Sequence, residues 1–428
     1  MIAEKLGDET RNAAKNVERP IMNIVFLAHP DFEGHVSMPR FHMMLLDGMR
    51  KRGHRVQTFS PKPKFHSLPS PSKLKKWLGY IDQYLIFPEE VKRQMKLLPD
   101  DTLFVFTDNA LGPWVPLAAH MPHVIHCHDF MAQQAALGEI QEQKIKWTGR
   151  QYQKMIRKGY ATGTNFISGS ESTRRNLLKF LPSPPQVCEL VYNGLYTRFE
   201  RYNTQQARTI VGEQFRMDLS AGYLLHVGGN QWYKNREGVI EIYNAWRRIA
   251  STRLPLLLIG LKPSASLHAS YKASPYKDDI HFISDAPDGI VNAAYSGATV
   301  FLFPSKAEGF GWPVAEAMAS GCPVITTDQA PMTEVAGDAG FFIPRRPVDD
   351  LSGEWAKNAG LLVERIVGFT DQERTAAIEA GVKNALRFDT DRALDKIESI
   401  YLKIIDQHRK KGPDKTVDLA LSRRSQHL

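Results

Sequence analysis

The chain has 428 residues, 43% hydrophobic and 24% charged, with a formal net charge of +9. That length exceeds one ordinary core and favours two domains, and the composition is globular. No stretch approaches the roughly 18 apolar residues of a membrane span, Cys127, Cys188 and Cys322 have neither disulfide-framework nor zinc spacing, and no RRM, KH or zinc-finger pattern accompanies the positive charge, so nucleic acid is not an expected partner.

Residues 1–20 are polar and mixed in charge, without the apolar centre of a secretory signal, and read as a flexible extension; Met22 is a second candidate start. Unpaired thiols favour a reducing cytoplasm. IMNIVFLAHP (21–30) has the look of a buried parallel strand. The loop after it, HPDFEGHVSMPRF, offers Gly34, His35 and Arg40 as candidates for contact with a ligand. Residues 41–54 carry apolar positions at helical spacing, stopped by Gly53, and RVQTFSP is the next strand. Strand, helix, strand is the doubly wound unit.

TLFVFTDN (102–109), HVIHCHDF (123–130) and NFISGSES (165–172) read as further strands, each ending in polar residues at its carboxyl end, where open parallel sheets bind ligands. Alternation puts His126 and His128 on one face, but no further ligands stand at suitable spacing, so no metal site is expected. Two segments, 74–87 and 144–159, mix lysines with Trp77, Tyr80, Tyr84 and other aromatics. They suit an anionic membrane surface; a solvated helix face is the alternative.

A second strand–helix series begins at YLLHVGGN (223–230) and continues through LPLLLIG, DIHFISDAP, TVFLFPS and PVITTDQAP. The expected architecture is α/β, with an N-terminal Rossmann-like domain at 21–200, an irregular linker at about 195–220, and a C-terminal one at 221–390. The helical pattern 392–412 is expected to cross back to the first domain, and 413–428 to be a loose tail.

The densest signal is PSKAEGFGWPVAEAMASGCPV (304–324). TVFLFPS supplies a buried strand and SKAEGFG the turn leaving its carboxyl end. Pro313 suits the start of a helix, which places Glu308 in the loop and Glu316 on the first helical turn, its side chain leaning back towards the loop. Gly309 and Gly311 let main-chain N–H groups approach a ligand, and the helix start adds partial positive charge. Amides facing phosphates and a carboxylate accepting from a ribose diol suit a sugar diphosphate. A lone glutamate at a helix start would merely complement the dipole; the complete string argues for a site.

This string resembles the signature of retaining glycosyltransferases of family 4, a Glu, seven residues, then Glu, within EGFGxPxxEAMAxGxPV; Trp312, where Leu is common, is the visible departure. The similarity extends to VYNGLY (191–196) and ISGSESTRRNLL (167–178). It implies a GT-B architecture, two Rossmann-like domains facing a cleft. By that resemblance Glu308 contacts the transferred sugar, Glu316 the ribose, and Phe310 and Gly311 offer main-chain groups to the sugar. Lys234 neutralises the diphosphate, and His128, with Asp129 second, meets the donor sugar from the first domain. Base contacts fall near Phe282–Ile283. Many members carry an arginine shortly after the first glycine of the turn at 228; here Gly229 and Asn230 follow, so either another cation substitutes or Asn230 and glycine amides bind the phosphates.

The implied reaction moves a sugar from a nucleotide-diphosphate sugar to a glycan or lipid-linked acceptor, with configuration retained. It needs no cofactor or obligatory metal and fits surface polysaccharide assembly, in the cytoplasm or at the inner face of the plasma membrane. No carboxylate is clearly placed as a second-face nucleophile, so front-face departure is expected. The alternatives are an epimerase or hydrolase of the same fold, which turns over donor alone, and a non-catalytic nucleotide-sugar-binding protein.

Overall fold

A computed structural model of the chain describes residues 20–34, 37–195, 199, 201–349 and 352–411. His35 and the segments 1–19 and 412–428 lie outside the described residues. Two six-stranded sheets, all of whose neighbours pair in parallel, organise the molecule. The first contains β1 (Asn23–Leu27), β2 (Arg55–Phe59), β3 (Leu103–Phe106), β4 (His123–Cys127), β5 (Asn165–Ser168) and β6 (Val187–Leu190), in the order β2-β1-β3-β4-β5-β6. The second contains β7 (Leu224–Val227), β8 (Leu256–Ile259), β9 (Ile280–Ile283), β10 (Val300–Phe303), β11 (Val324–Thr327) and β12 (Phe341–Ile343), in the order β12-β11-β10-β7-β8-β9.

Strands such as LFVF, LLLI and VFLF are buried along their whole length because helices cover both faces, which is why they read as unbroken apolar runs. In each sheet the strand order reverses beside the first strand, between β1 and β3 and between β7 and β10. Helices leave opposite faces there, and a crevice opens at the carboxyl ends.

Four elements differ from the sequence reading. The segment 195–220 is not irregular throughout: a helix, Thr204–Phe215, is capped by the Asn203 side chain and buries Ala207 and Val211. β6 and β12 escape pattern reading because they are short, flanking strands with partly exposed side chains. The first helix starts at Ser37, earlier than its apolar spacing indicates.

The last described helix, Thr390–Lys411, sets Leu394, Ile397, Tyr401 and Ile404 into one apolar cluster with Ile24, Phe41 and Leu45. His54 bonds Glu398 at 3.1 Å and Arg52 pairs with Asp395 at 2.8 Å, so helix and first sheet are held by both apolar and charged contacts. Among the described residues no helix is long and apolar enough to cross a membrane.

Candidate active site between the two sheets

The β10 strand ends at Phe303, and the loop after it carries Glu308 to the β7/β10 reversal. Lys234, at the end of a short turn of helix after β7, donates from Nζ to Glu308 Oε1 at 2.7 Å. Ser305 Oγ donates to the same oxygen at 2.6 Å, while Oε2 has no hydrogen bond among the described residues. The ammonium also lies 4.9 Å from the centre of the Phe303 ring, a position that favours a cation. The pair is nearly buried, so it meets little solvent screening.

The helix Trp312–Ala319 follows, entered through Gly311 at φ 101°, a backbone setting that only glycine adopts without strain. Glu316 stands on its second turn and accepts from the Tyr295 hydroxyl at 2.9 Å. Burial, which outweighs that bond, pushes its carboxyl up to about 7. Lys234, Glu308, Gly309, Phe310, Gly311 and Glu316 line one hollow of about 390 Å³ with Gly228, Gly229, Arg40, His128 and Asp129.

Residues of both sheets therefore share that hollow, and the contact is close. The Gly309 carbonyl accepts from Ser170 Oγ at 2.7 Å and Thr173 Oγ1 at 3.2 Å. A side chain on Gly309 would collide with the His128 main-chain oxygen. The Glu334 carboxylate accepts from the Glu171 and Ser172 amides at 2.7 and 2.8 Å, capping a helix of the first unit from the second. Arg40 pairs with Asp288 at 3.1 Å on the rim.

A second hollow of about 610 Å³ opens at the β1/β3 reversal and shares Ser37, Met38, His128 and Asp129 with the first. His128 Nε2 donates to the Thr107 carbonyl at 2.8 Å, so its unpartnered Nδ1 is the acceptor nitrogen. Burial lowers its pKa and keeps it neutral. Asp129 is raised to about 6, by burial first and then by Asp108.

Residues 221–360 match the family described as Glycosyl transferases group 1, and residues 39–199 match Glycosyltransferase Family 4. Together they cover the first sheet apart from β1, the whole second sheet, and the loops that carry Lys234, Glu308 and His128. The chain belongs to glycosyltransferase family 4. Over 133 residues it is 32% identical to O-antigen chain mannosyltransferase B of Escherichia coli, 31% of this chain and 35% of that one. Over 239 residues it is 26% identical to D-inositol 3-phosphate glycosyltransferase of Corynebacterium aurimucosum, 53% of this chain and 54% of that one. The matched stretches thus span about a third to a half of those relatives. Anabaena HepE, solved with UDP and glucose, superposes with a TM-score of 0.64 at 15% identity, covering 88% of this chain and 98% of that one. The fold is GT-B.

In this family 4 chain several sequence expectations need correction. Glu316 lies one position deeper than expected, at the start of the second turn, because the helix begins at Trp312, not Pro313. Asn230 does not line the hollow: its side chain donates to the Lys262 carbonyl at 2.6 Å and accepts from Arg236 at 2.6 Å. Ile283 is in the core, its carbonyl taken by the Gly260 amide, so it offers no base contact there. Gly34 serves as the left-handed end of a short turn and lines neither hollow. His126, for which no metal was expected, bonds the Tyr401 hydroxyl at 2.7 Å.

Two groups in this glycosyltransferase chain were missed from sequence. His29 bonds Asp108 at 2.9 Å at the β1/β3 reversal; the HP after an apolar strand was the available signal. Arg236 is 2% exposed beneath the glycine turn, and its Nε and Nη2 have no partner among the described residues. Nothing in sequence separates it from a solvated helix arginine.

Proposed function

We propose that the chain is a retaining glycosyltransferase that moves a sugar from a nucleotide-diphosphate sugar to a hydroxyl of a glycan or lipid-linked acceptor, in surface polysaccharide assembly. The observation that carries this reading is the Lys234–Glu308 pair facing Glu316 in one hollow, joined to a larger hollow on the other sheet. The names of the O-antigen mannosyltransferase and of HepE with UDP and glucose support the substrate class.

In this reading the hollow between the sheets holds the donor. Glu316 accepts from the ribose diol, Lys234 and the Trp312–Ala319 helix start face the diphosphate, and Glu308 Oε2 accepts from a sugar hydroxyl. Arg236 supplies the positive charge that the glycine turn lacks, and its bonds to Asn230 and the Leu261 carbonyl hold that turn in place. The bond from C1 to the phosphate oxygen breaks as the acceptor oxygen bonds C1 on the same face. The acceptor proton passes to the leaving phosphate, whose growing charge Lys234 stabilises. His128 borders the sugar's place from across the gap. The test is transfer from UDP- and GDP-sugars to extracted lipids, read by mass spectrometry and by the anomeric proton coupling. A product of inverted configuration, or turnover of donor with no acceptor present, would rule the reading out.

Glu316 gives a pH signature. A carboxylate accepts both ribose hydroxyls, whereas the acid form does not, so nucleotide affinity rises with pH through about 7. Glu316→Gln weakens nucleoside diphosphate binding about tenfold and removes that dependence. The folded state raises this carboxyl above its ordinary 4.5, so its contribution to stability is full below 4.5 and lost as pH rises to 7. The glutamine variant without ligand therefore melts higher than wild type at pH 8. Equal melting and equal affinity at pH 6 and 8 would count against the assignment.

Membrane contact is a second element of the reading. The helices Ser72–Ile81 and Trp147–Tyr160 meet through Tyr80 stacked on Tyr152, ring centres 5.6 Å apart. The two basic, aromatic segments thus become one surface, and Leu74, Trp77 and Trp147 remain exposed on it. The chain is expected to sediment with phosphatidylglycerol vesicles at low salt and to release at 0.5 M salt, about where the Debye length falls below 5 Å. Equal sedimentation with neutral vesicles would remove the electrostatic element.

A further inference from the structure

The larger hollow has a chemical bias that the proposed reaction does not require, and the inference from it rests on that hollow being the acceptor site. Its charges are sorted by depth. At the buried end His29 lies between Asp108, at 2.9 Å, and Glu33, at 3.5 Å, with both side chains mostly covered. Burial opposes the charge of His29, but the two carboxylates outweigh it and hold its pKa up at about 9. His29 therefore stands between two anions of this hollow, and Asp129 adds a third carboxylate on the wall shared with the donor hollow. Gln83 donates to Glu33 at 2.9 Å and steadies it.

The lysines belong to the exposed end. Lys75 spends its ammonium on the His66 and Leu68 carbonyls at 2.8 and 3.2 Å. Lys76 is exposed and lies 5.6 Å from the centre of the Tyr80 ring. Tyr80 itself is half-buried in the wall, backed by Tyr152, and its hydroxyl has no partner among the described residues. An aromatic face beside several acceptor-only carboxylates complements a ring with one apolar face and a rim of O–H donors. It is a poor partner for phosphate, which brings more acceptors and negative charge.

We propose that this hollow takes an unphosphorylated saccharide ring as acceptor, laid against Tyr80 with its hydroxyls donating to Glu33, Asp108 and Asp129, and that these carboxylates turn away acceptors whose ring carries phosphate. Any anionic linker on the acceptor stays at the lysine-bearing mouth. The chain so separates itself from a relative named for D-inositol 3-phosphate, even though it shares 26% identity with it.

The test uses the full chain and saturation-transfer NMR, with methyl α-D-mannoside, methyl α-D-glucoside and methyl α-D-galactoside as neutral probes, and mannose 6-phosphate and D-inositol 3-phosphate as charged ones. At least one glycoside is expected to bind tenfold more tightly than either phosphate. Tyr80→Ala weakens that glycoside about tenfold and leaves nucleoside diphosphate affinity within twofold, which also reports that the variant is folded. Glu33→Gln narrows the preference for neutral over phosphorylated rings at least threefold. Equal or tighter binding of the phosphates overturns the proposal, as does the absence of binding by all three glycosides in a chain that binds UDP or GDP. Glycoside binding without any nucleotide binding would instead sink the donor reading and leave this one standing.

Discussion

Replacing Lys234 with alanine lowers kcat for sugar transfer by about two to three orders of magnitude, the size seen when one preorganised charge donor is removed from a developing anion. On the proposed reading nucleotide affinity falls much less, because the helix start, the glycine-turn amides and Glu316 would still engage the ground state. The structure adds a second cost. Lys234 holds Glu308 at 2.7 Å, and without it Ser305 alone among the described residues donates to that carboxylate. Lys234→Ala and Glu308→Gln are therefore expected to be non-additive, the double variant being hardly slower than the worse single one. Lys234→Arg does not rescue, since a planar fork cannot replace a point charge between a carboxylate and the Phe303 ring. Steady-state rates and nucleotide titrations of the four variants check this. A drop in affinity matching the drop in rate would mean that Lys234 binds donor without favouring the transition state.

Gly309→Ala is expected to reduce transfer at least a hundredfold although it removes no functional group. The added methyl meets the His128 main-chain oxygen and the Asp129 side chain, neither of which is a flexible tip. Overpacking of this kind costs about 1–3 kcal/mol within a core, and here two sheets can relieve it by parting. Parting breaks the bonds from Ser170 and Thr173 to the Gly309 carbonyl and withdraws His128 from Glu308. Nucleotide affinity is retained within a few fold, because the residues that grip it lie on one side. Small-angle scattering should show a larger radius of gyration for the variant. Wild-type turnover by Gly309→Ala would mean that the reaction runs in a more open arrangement.

The stretch 304–324 shows how far local pattern carries. A buried strand, two glycines and a helix start are near-neighbour features, so the Glu308 loop, the helix and the hollow's dipole were legible from residue order. That Glu316 lines the hollow was legible but not its depth, because the helix starts with Trp312, whose indole reaches the Gly194 carbonyl of the other unit at 3.3 Å. Asn230 and Ile283 failed for a related reason. Asn230 follows a strand end and Ile283 is the last residue of a strand, where ligands bind, but Asn230 turns to Arg236 and the Ile283 carbonyl is taken by the Gly260 amide.

Residue order by itself determined the alternating strand–helix units and the loops at which chemistry is placed, because those depend on periodicity and on interactions within a few residues. Tertiary structure alone decided which loops meet: that His29 finds Asp108, that Gly309 is pressed on His128, and that Arg236 is buried with Nε and Nη2 unbonded among the described residues. Those contacts join residues from about 80 to 180 positions apart or, for Arg236, depend on what covers it, and no local pattern encodes the strand order that brings them together.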